Sequence, residues 1–268
     1  MAVDAYCLQH EDYIKRRSRI REILTSSLPD IDDLMPAHRV LLSMTTHSLR
    51  RLHPHLTRLA MIVLTGLLSA PAGLVGEAAP QRGRSERAAR EIELAIETLG
   101  LKPGDAVAEI GAGNARFSFR FAEVVGPEGR VYANELGASN VRRIREGAER
   151  RNLANLTAVD GAVDDTKLPD ACCDAMMMRH VYHMLTRPEP MARSCYRALK
   201  PGGRLLILEG DPQPGRPNAR GVPENRTGMG IDPQIVIDEL AAAGFEFDRR
   251  VPDWTGSDYA LVFQKPQR

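Results

Sequence analysis

Two kinds of apolar spacing alternate along most of this 268-residue chain. Short apolar runs bounded by Gly, Pro, Asn or Asp read as buried strands. Longer stretches in which apolar side chains recur every three or four residues read as helices with one apolar face. From Arg87 the pattern predicts a helix over Arg87–Leu99, ended by Gly100, then a strand over Ala106–Ile110 and a helix over Asn114–Val125. A strand over Arg130–Asn134 closes on Glu135, a helix follows over Ser139–Arg151, and a third strand over Leu156–Val159 ends at Asp160. Asp174–Met178 reads as a strand, Pro188–Leu199 as a helix, Arg204–Glu209 as a strand and Asp232–Ala243 as a helix. Two strands, Phe245–Val251 and Tyr259–Gln264, end the chain. Between these, Gln81–Ser85 reads as a polar linker, Lys200-Pro201-Gly202-Gly203 as a turn, and Gly210–Gly230 as a Pro/Gly-rich loop.

Strands separated by helices pair in parallel, because a parallel neighbour needs a crossover. The last two, joined by a short loop, must be antiparallel. The predicted fold class is α/β: a doubly wound, seven-stranded, mostly parallel sheet with its last strand antiparallel, over residues 84–268.

The first 83 residues carry a different pattern. Residues 1–43 hold a basic stretch (Lys15 to Arg21) broken by Pro29 and Pro36, and no recognisable site. After Met44 come Arg50, Arg51, His53, His55 and Arg58, then Leu59 to Gly76 without a charge, then small residues around Ala70-Pro71-Ala72. A basic region, an apolar region and small residues form a secretory-signal pattern when measured from Met44. On that reading Met44 is the natural start, residues 1–43 are an uncertain extension, and 44–83 form a signal-like or anchor segment plus linker. Residues 59–76 could equally associate with a membrane or pack as a helix on the following domain, although Gly66, Pro71 and Gly73 oppose a spanning helix. The protein is accordingly expected in the cytoplasm, or exported or anchored if residues 44–78 act as a leader.

Composition adds exclusions. A net charge of +1 gives no electrostatic case for a nucleic-acid partner. The four cysteines (Cys7, Cys172, Cys173, Cys195) have no metal-ligand spacing, so neither a metal site nor a disulfide framework is expected.

The chemistry concentrates at Ala106-Val107-Ala108-Glu109-Ile110-Gly111-Ala112-Gly113-Asn114-Ala115-Arg116. Strand, glycine turn and helix together make a nucleotide site, with the ligand over the helix N-terminus. A nicotinamide fingerprint asks for a third glycine where Arg116 stands, which argues against an NAD-dependent oxidoreductase. An acid two residues before the first glycine, Glu109, and another closing the second strand, Glu135, remain to be explained.

With these motifs the chain resembles the class I S-adenosylmethionine-dependent methyltransferases, over about residues 98–265. Glu109-x-Gly111-x-Gly113 resembles the family's first motif and Glu135 its ribose-binding acid. Asp160-Gly161-Ala162 looks like the adenine-contacting turn, and Leu199 to Leu205 is similar to its turn into the fifth strand. A bacterial group of small methyltransferases with signal-like N-termini is most similar, through Ala154 to Asp165, Tyr182-His183 and Ile231-x-Pro233. The resemblance implies S-adenosylmethionine as cofactor, held by Glu109, Gly111, Ala112, Gly113, Glu135, Leu136, Asp160, Gly161, Ala162 and Arg179. It also implies in-line methyl transfer to a small-molecule acceptor. The chain departs from the pattern at Ala115, where a third glycine is usual, at Arg179-His180, where an apolar residue and asparagine are common, and at Met184.

Candidate proton acceptors follow the fourth strand, where open α/β sheets place ligands: His180, Tyr182 and His183. Met176-Met177-Met178 reads as strand core. No Asn-Pro-Pro-Tyr-like segment follows that strand, which disfavours DNA amino methylation. A cofactor-binding envelope protein without catalysis is the alternative from another class.

Overall fold

The computed structural model describes residues 79–254 and 258–267. The readings made for residues 1–78 lie outside the described residues. Among the described residues no helix is long and apolar enough to cross a membrane. From Gly83 onward they fall in one compact unit.

The elements in chain order are α1 (Ala79–Leu99), β1 (Ala106–Ile110), α2 (Arg116–Val125), β2 (Arg130–Glu135), α3 (Ala138–Glu149), β3 (Leu156–Asp160) and β4 (Cys173–Arg179). A short 3-10 turn, Tyr182–Met184, precedes α4 (Pro188–Ala198), β5 (Leu199–Gly210), α5 (Pro233–Ala242), β6 (Glu246–Val251) and β7 (Asp258–Gln264). The seven strands form one sheet in the order β3-β2-β1-β4-β5-β7-β6. All neighbours are parallel except those of β7, which runs antiparallel to both β5 and β6. The fold class read from the sequence is therefore the observed one.

Both faces of the central strands are covered, which is why their sequences run apolar without alternation. Ala108, Ile110, Met176, Met178, Leu205 and Ile207 pack with residues of α4 and α5. Val107, Ala175, Met177, Leu206 and Leu208 pack on the opposite side with α1 and α2. A smaller cluster, Ala112, Ala115, Ala133 and Ile144, seats α3 beside the glycine loop.

Two local expectations are corrected. Gln81–Ser85 lies within α1 and is no linker, because Ala79–Leu99 is continuously helical. Lys200-Pro201-Gly202-Gly203 is part of the twelve-residue β5 and does not precede it. The pairing of β4 with β5 shifts register between Cys173 and Ala175, and Gly202 donates its N–H to the Lys265 carbonyl at 2.8 Å. The turn-like sequence is thus accommodated as an irregularity inside a strand.

Candidate functional site

The carboxyl ends of β1, β2 and β4 open onto one cleft, about 480 Å³ with the open solvent at its mouth counted in. On one side it is lined by Ile110, Gly111, Asn134, Glu135, Leu136, Ala162 and Val163, which follow β1, β2 and β3. On the other it is lined by Val181, Met184, Leu185, Thr186 and Met191, which follow β4. A few polar groups among apolar walls are what a small-molecule site needs.

The glycine loop is built for close approach. Gly111 has φ +72°, and a Cβ there would sit 2.3 Å from Val181 Cγ2. Gly113 has φ +57°, and a Cβ there would meet nothing within 4 Å. The first glycine is required by packing and conformation, the second by conformation alone; beside the second lies open space. Ala112 stands between them, buried, its N–H donating to the Asn134 carbonyl at 2.8 Å.

Glu135 ties this loop to β2. One carboxylate oxygen accepts the Gly113 N–H at 2.6 Å and the other accepts the Leu136 N–H at 2.8 Å. A carboxylate offers about four lone-pair sites, so Glu135 keeps two for a vicinal diol. Asp160 is exposed, and its Oδ1 accepts the Gly137 N–H at 3.0 Å. Gly161 packs against Asn134, where a Cβ would lie 2.6 Å from Nδ2. The Ala162 amide donates to the Asp165 carbonyl at 2.7 Å, so Ala162 lines the cleft with its N–H already engaged.

Three expected positions sit differently. Glu109 does not line the cleft. It is buried, and its carboxylate accepts both the N–H (2.9 Å) and the hydroxyl of Ser118 in the first turn of α2. It therefore caps that helix, and burial pushes its carboxyl up to about 7 against the opposing Ser118 bonds. Arg179 is paired with Glu91 of α1 through Nε (3.0 Å) and Nη2 (2.9 Å), and its guanidinium lies 5.8 Å from the Phe117 ring centroid. Tyr182 is turned into the core with its hydroxyl buried and unpaired, and burial first of all pushes that phenol upward. A side chain so enclosed does not serve as proton acceptor in the cleft.

The two histidines are both held by carboxylates. His180, in the left-handed region at φ +53°, places Nε2 3.0 Å from Asp258 Oδ2. Burial raises the Asp258 carboxyl, but the His180 bond and charge outweigh it, and its value falls below the ordinary one. His183 places Nδ1 2.7 Å from Glu209 Oε2, while its own N–H donates to Oε1 at 3.2 Å. Ligand atoms of Glu91, His180 and Asp258 lie within 4.8 Å of one another, yet both oxygens of Glu91 face Arg179, which opposes a cation there.

Glu91, Asp258 and Glu209 were not foreseen as parts of these networks. Glu91 had a legible signal, since Glu91, Ala95 and Leu99 fall four apart on one buried stripe of α1. The others needed the topology, because β7 inserts beside β5 and brings Asp258 to Gly210.

Comparison with known proteins bears on the family and the fold. Residues 108–207 match the family described as a methyltransferase domain. The chain is 33% identical over 123 residues to the ubiquinone/menaquinone biosynthesis C-methyltransferase of Ectopseudomonas mendocina, covering 46% of this chain and 48% of that protein. The Pasteurella multocida protein of that description is 32% identical over 117 residues, covering 42% and 43%. The chain thus spans under half the length of these relatives. Among solved structures, an S-adenosylmethionine-dependent methyltransferase from Aquifex aeolicus superposes with a TM-score of 0.54 at 22% identity, covering 65% of this chain and 88% of that one. The [4+2]-cyclase SpnF superposes equally well, at 0.54 and 20% identity over 66% and 81%, so this likeness establishes the fold alone.

Proposed function

We propose that the chain is a class I S-adenosylmethionine-dependent methyltransferase that transfers a methyl group to a small-molecule acceptor, a reading supported by the methyltransferase-domain match over residues 108–207. The observation that carries the reading is Glu135 at the end of β2. It holds the Gly113 amide with one oxygen, borders the cleft, and keeps lone pairs for the two hydroxyls of a ribose.

The donor, when bound, supplies a sulfonium methyl that is already electrophilic. The chain's own residues then bind and align. Gly111 and Gly113 leave bare backbone beside the cleft for the amino-acid portion. Glu135 orients the ribose. Leu136, Ala162 and Val163 offer an apolar surface for the adenine. Val181, Met184 and Leu185 exclude water on the side where the acceptor enters. Proximity and alignment of this kind supply up to roughly 7–11 kcal/mol of a barrier.

The matched relatives are C-methyltransferases of quinone biosynthesis, so a hydroquinone is the acceptor to assay first. The test incubates the full chain with S-adenosylmethionine and single phenol, hydroquinone, amine and thiol acceptors, and measures S-adenosylhomocysteine formed. Product with at least one acceptor, lost in Glu135→Ala, is expected. Donor binding without turnover on any of them would mark a binding protein.

A further inference from the structure

We propose that Glu209 is a positioning residue that fixes His183 as a proton acceptor facing the transferred methyl, and hence that the acceptor is a molecule that loses a proton on methylation, such as a phenol or hydroquinone. The inference rests on the methyl-transfer reading above.

Glu209 lies near the end of β5, one residue past Leu208, which packs with the α1 and α2 side. Strand alternation therefore sends its side chain to the other face, with Ile207, Ile110 and Met191. Ile110 and Met191 also line the cleft. The Glu209 side chain is wholly buried. A buried carboxylate persists only if it is paired, and both of its oxygens are directed to His183, one to the ring and one to the backbone N–H.

With the ring proton on Nδ1, directed at Oε2, Nε2 keeps its lone pair. Nε2 has no hydrogen-bond partner among the described residues. His183, its side chain nearly buried, adjoins the cleft through its chain neighbours Val181 and Met184, which line it. In the step, the acceptor's O–H or C–H bond breaks and its proton passes to Nε2. The freed electron pair forms the bond to the methyl carbon, and the pair of the broken carbon–sulfur bond stays on sulfur. The imidazolium so formed is stabilised by Glu209. An acceptor with no proton to lose would draw nothing from this pair.

The test uses the full chain saturated with S-adenosylhomocysteine and labelled with 15N histidine. His183 is expected to show a protonated Nδ1 and a bare Nε2, and Glu209→Gln to convert it to a tautomer mixture. A protonated Nε2 in the unaltered protein, or the same tautomer in Glu209→Gln, overturns the proposal. With a hydroquinone as probe, His183→Gln and Glu209→Gln should each lower kcat about a hundredfold, leave the donor KM unchanged, and be no worse together than singly. Additive losses, or loss of donor binding in Glu209→Gln, would make the contact merely structural. Turnover of a tertiary amine, which has no proton to lose, in place of the hydroquinone overturns the acceptor class. Failure of the unaltered protein to bind S-adenosylhomocysteine would instead sink the methyl-transfer reading, with the tautomer result standing by itself.

Discussion

Ala115 sits at the N-terminus of α2 with φ +57°, fully buried. Methyltransferases of this class usually place a glycine there, and the backbone shows why: the left-handed region costs an L-residue about 1–2 kcal/mol. Here that cost is offset by a methyl packed among Ala112, Ala133 and Ile144, worth about 0.8 kcal/mol, and by the lower backbone entropy of alanine when unfolded. Ala115→Gly should therefore change stability by less than about 1 kcal/mol, whereas Ala115→Val, β-branched in the same conformation, should cost more than about 2 kcal/mol. Urea denaturation of the two variants checks this; a Val variant as stable as the Gly variant would refute it. Alanine's smallness was legible in the sequence. Its positive φ was not, because it depends on where α2 begins.

Glu109 gives the second residue-scale expectation. Its carboxyl titrates near 7 in the folded chain, against an ordinary 4.5. A raised folded value means that the folded state keeps the proton longer. The associated stability is full below about pH 4.5, drains as pH rises, and is gone above about pH 7, a loss on the order of 3 kcal/mol. Glu109→Gln keeps an acceptor for Ser118 and removes the titration. The stability of the unaltered protein relative to this variant should fall by that amount between pH 4.5 and pH 8, measured by denaturation. Parallel pH profiles would contradict a burial effect that outweighs the Ser118 bonds. The sequence resemblance made Glu109 a cofactor contact, and only the side-chain geometry showed it capping α2.

At the scale of elements, periodic segments were readable and irregular ones were not. All seven strands were placed within a residue or two except β5, whose Lys200-Pro201-Gly202-Gly203 start reads locally as a turn. The cross-strand bond from Gly202 to Lys265, distant in sequence, decided otherwise. The polar Gln81–Ser85 was absorbed into α1, whose packed apolar residues begin at Ile92. The loop between β5 and α5 shows the same limit: it reads as Pro/Gly-rich chain, yet it is anchored. Arg226, its side chain fully buried, pairs with Glu239 of α5 and reaches the Tyr182 carbonyl at 3.5 Å. Breaking a buried pair from one side costs about 3 kcal/mol or more. Arg226→Ala should lose that much stability and expose residues 211–230 to limited proteolysis. An unchanged cleavage pattern would mean that the loop is held by other contacts.

For the whole molecule, strand direction was legible because crossover helices force parallel pairing and a short connection forces the final antiparallel one, whereas the order β3-β2-β1-β4-β5-β7-β6 emerged only in the folded chain. It puts the ends of β1, β2 and β4 side by side, so Gly111, Glu135 and Val181, far apart in sequence, share one cleft. The cofactor side was accordingly readable from motifs, while the acceptor side was not. His183 was visible in the sequence, but Glu209 gains meaning only once β5 lies beside β4. A ligand bound to this edge stabilises the folded chain by mass action, about 2.7 kcal/mol at a hundredfold excess over Kd. The most direct measurement is titration calorimetry of the full chain with S-adenosylhomocysteine and, separately, NADH, repeated on Glu135→Ala. Saturable binding of S-adenosylhomocysteine alone, weakened at least tenfold in the variant, is the expected result. Unchanged affinity in Glu135→Ala, or preference for NADH, would contradict the cofactor site.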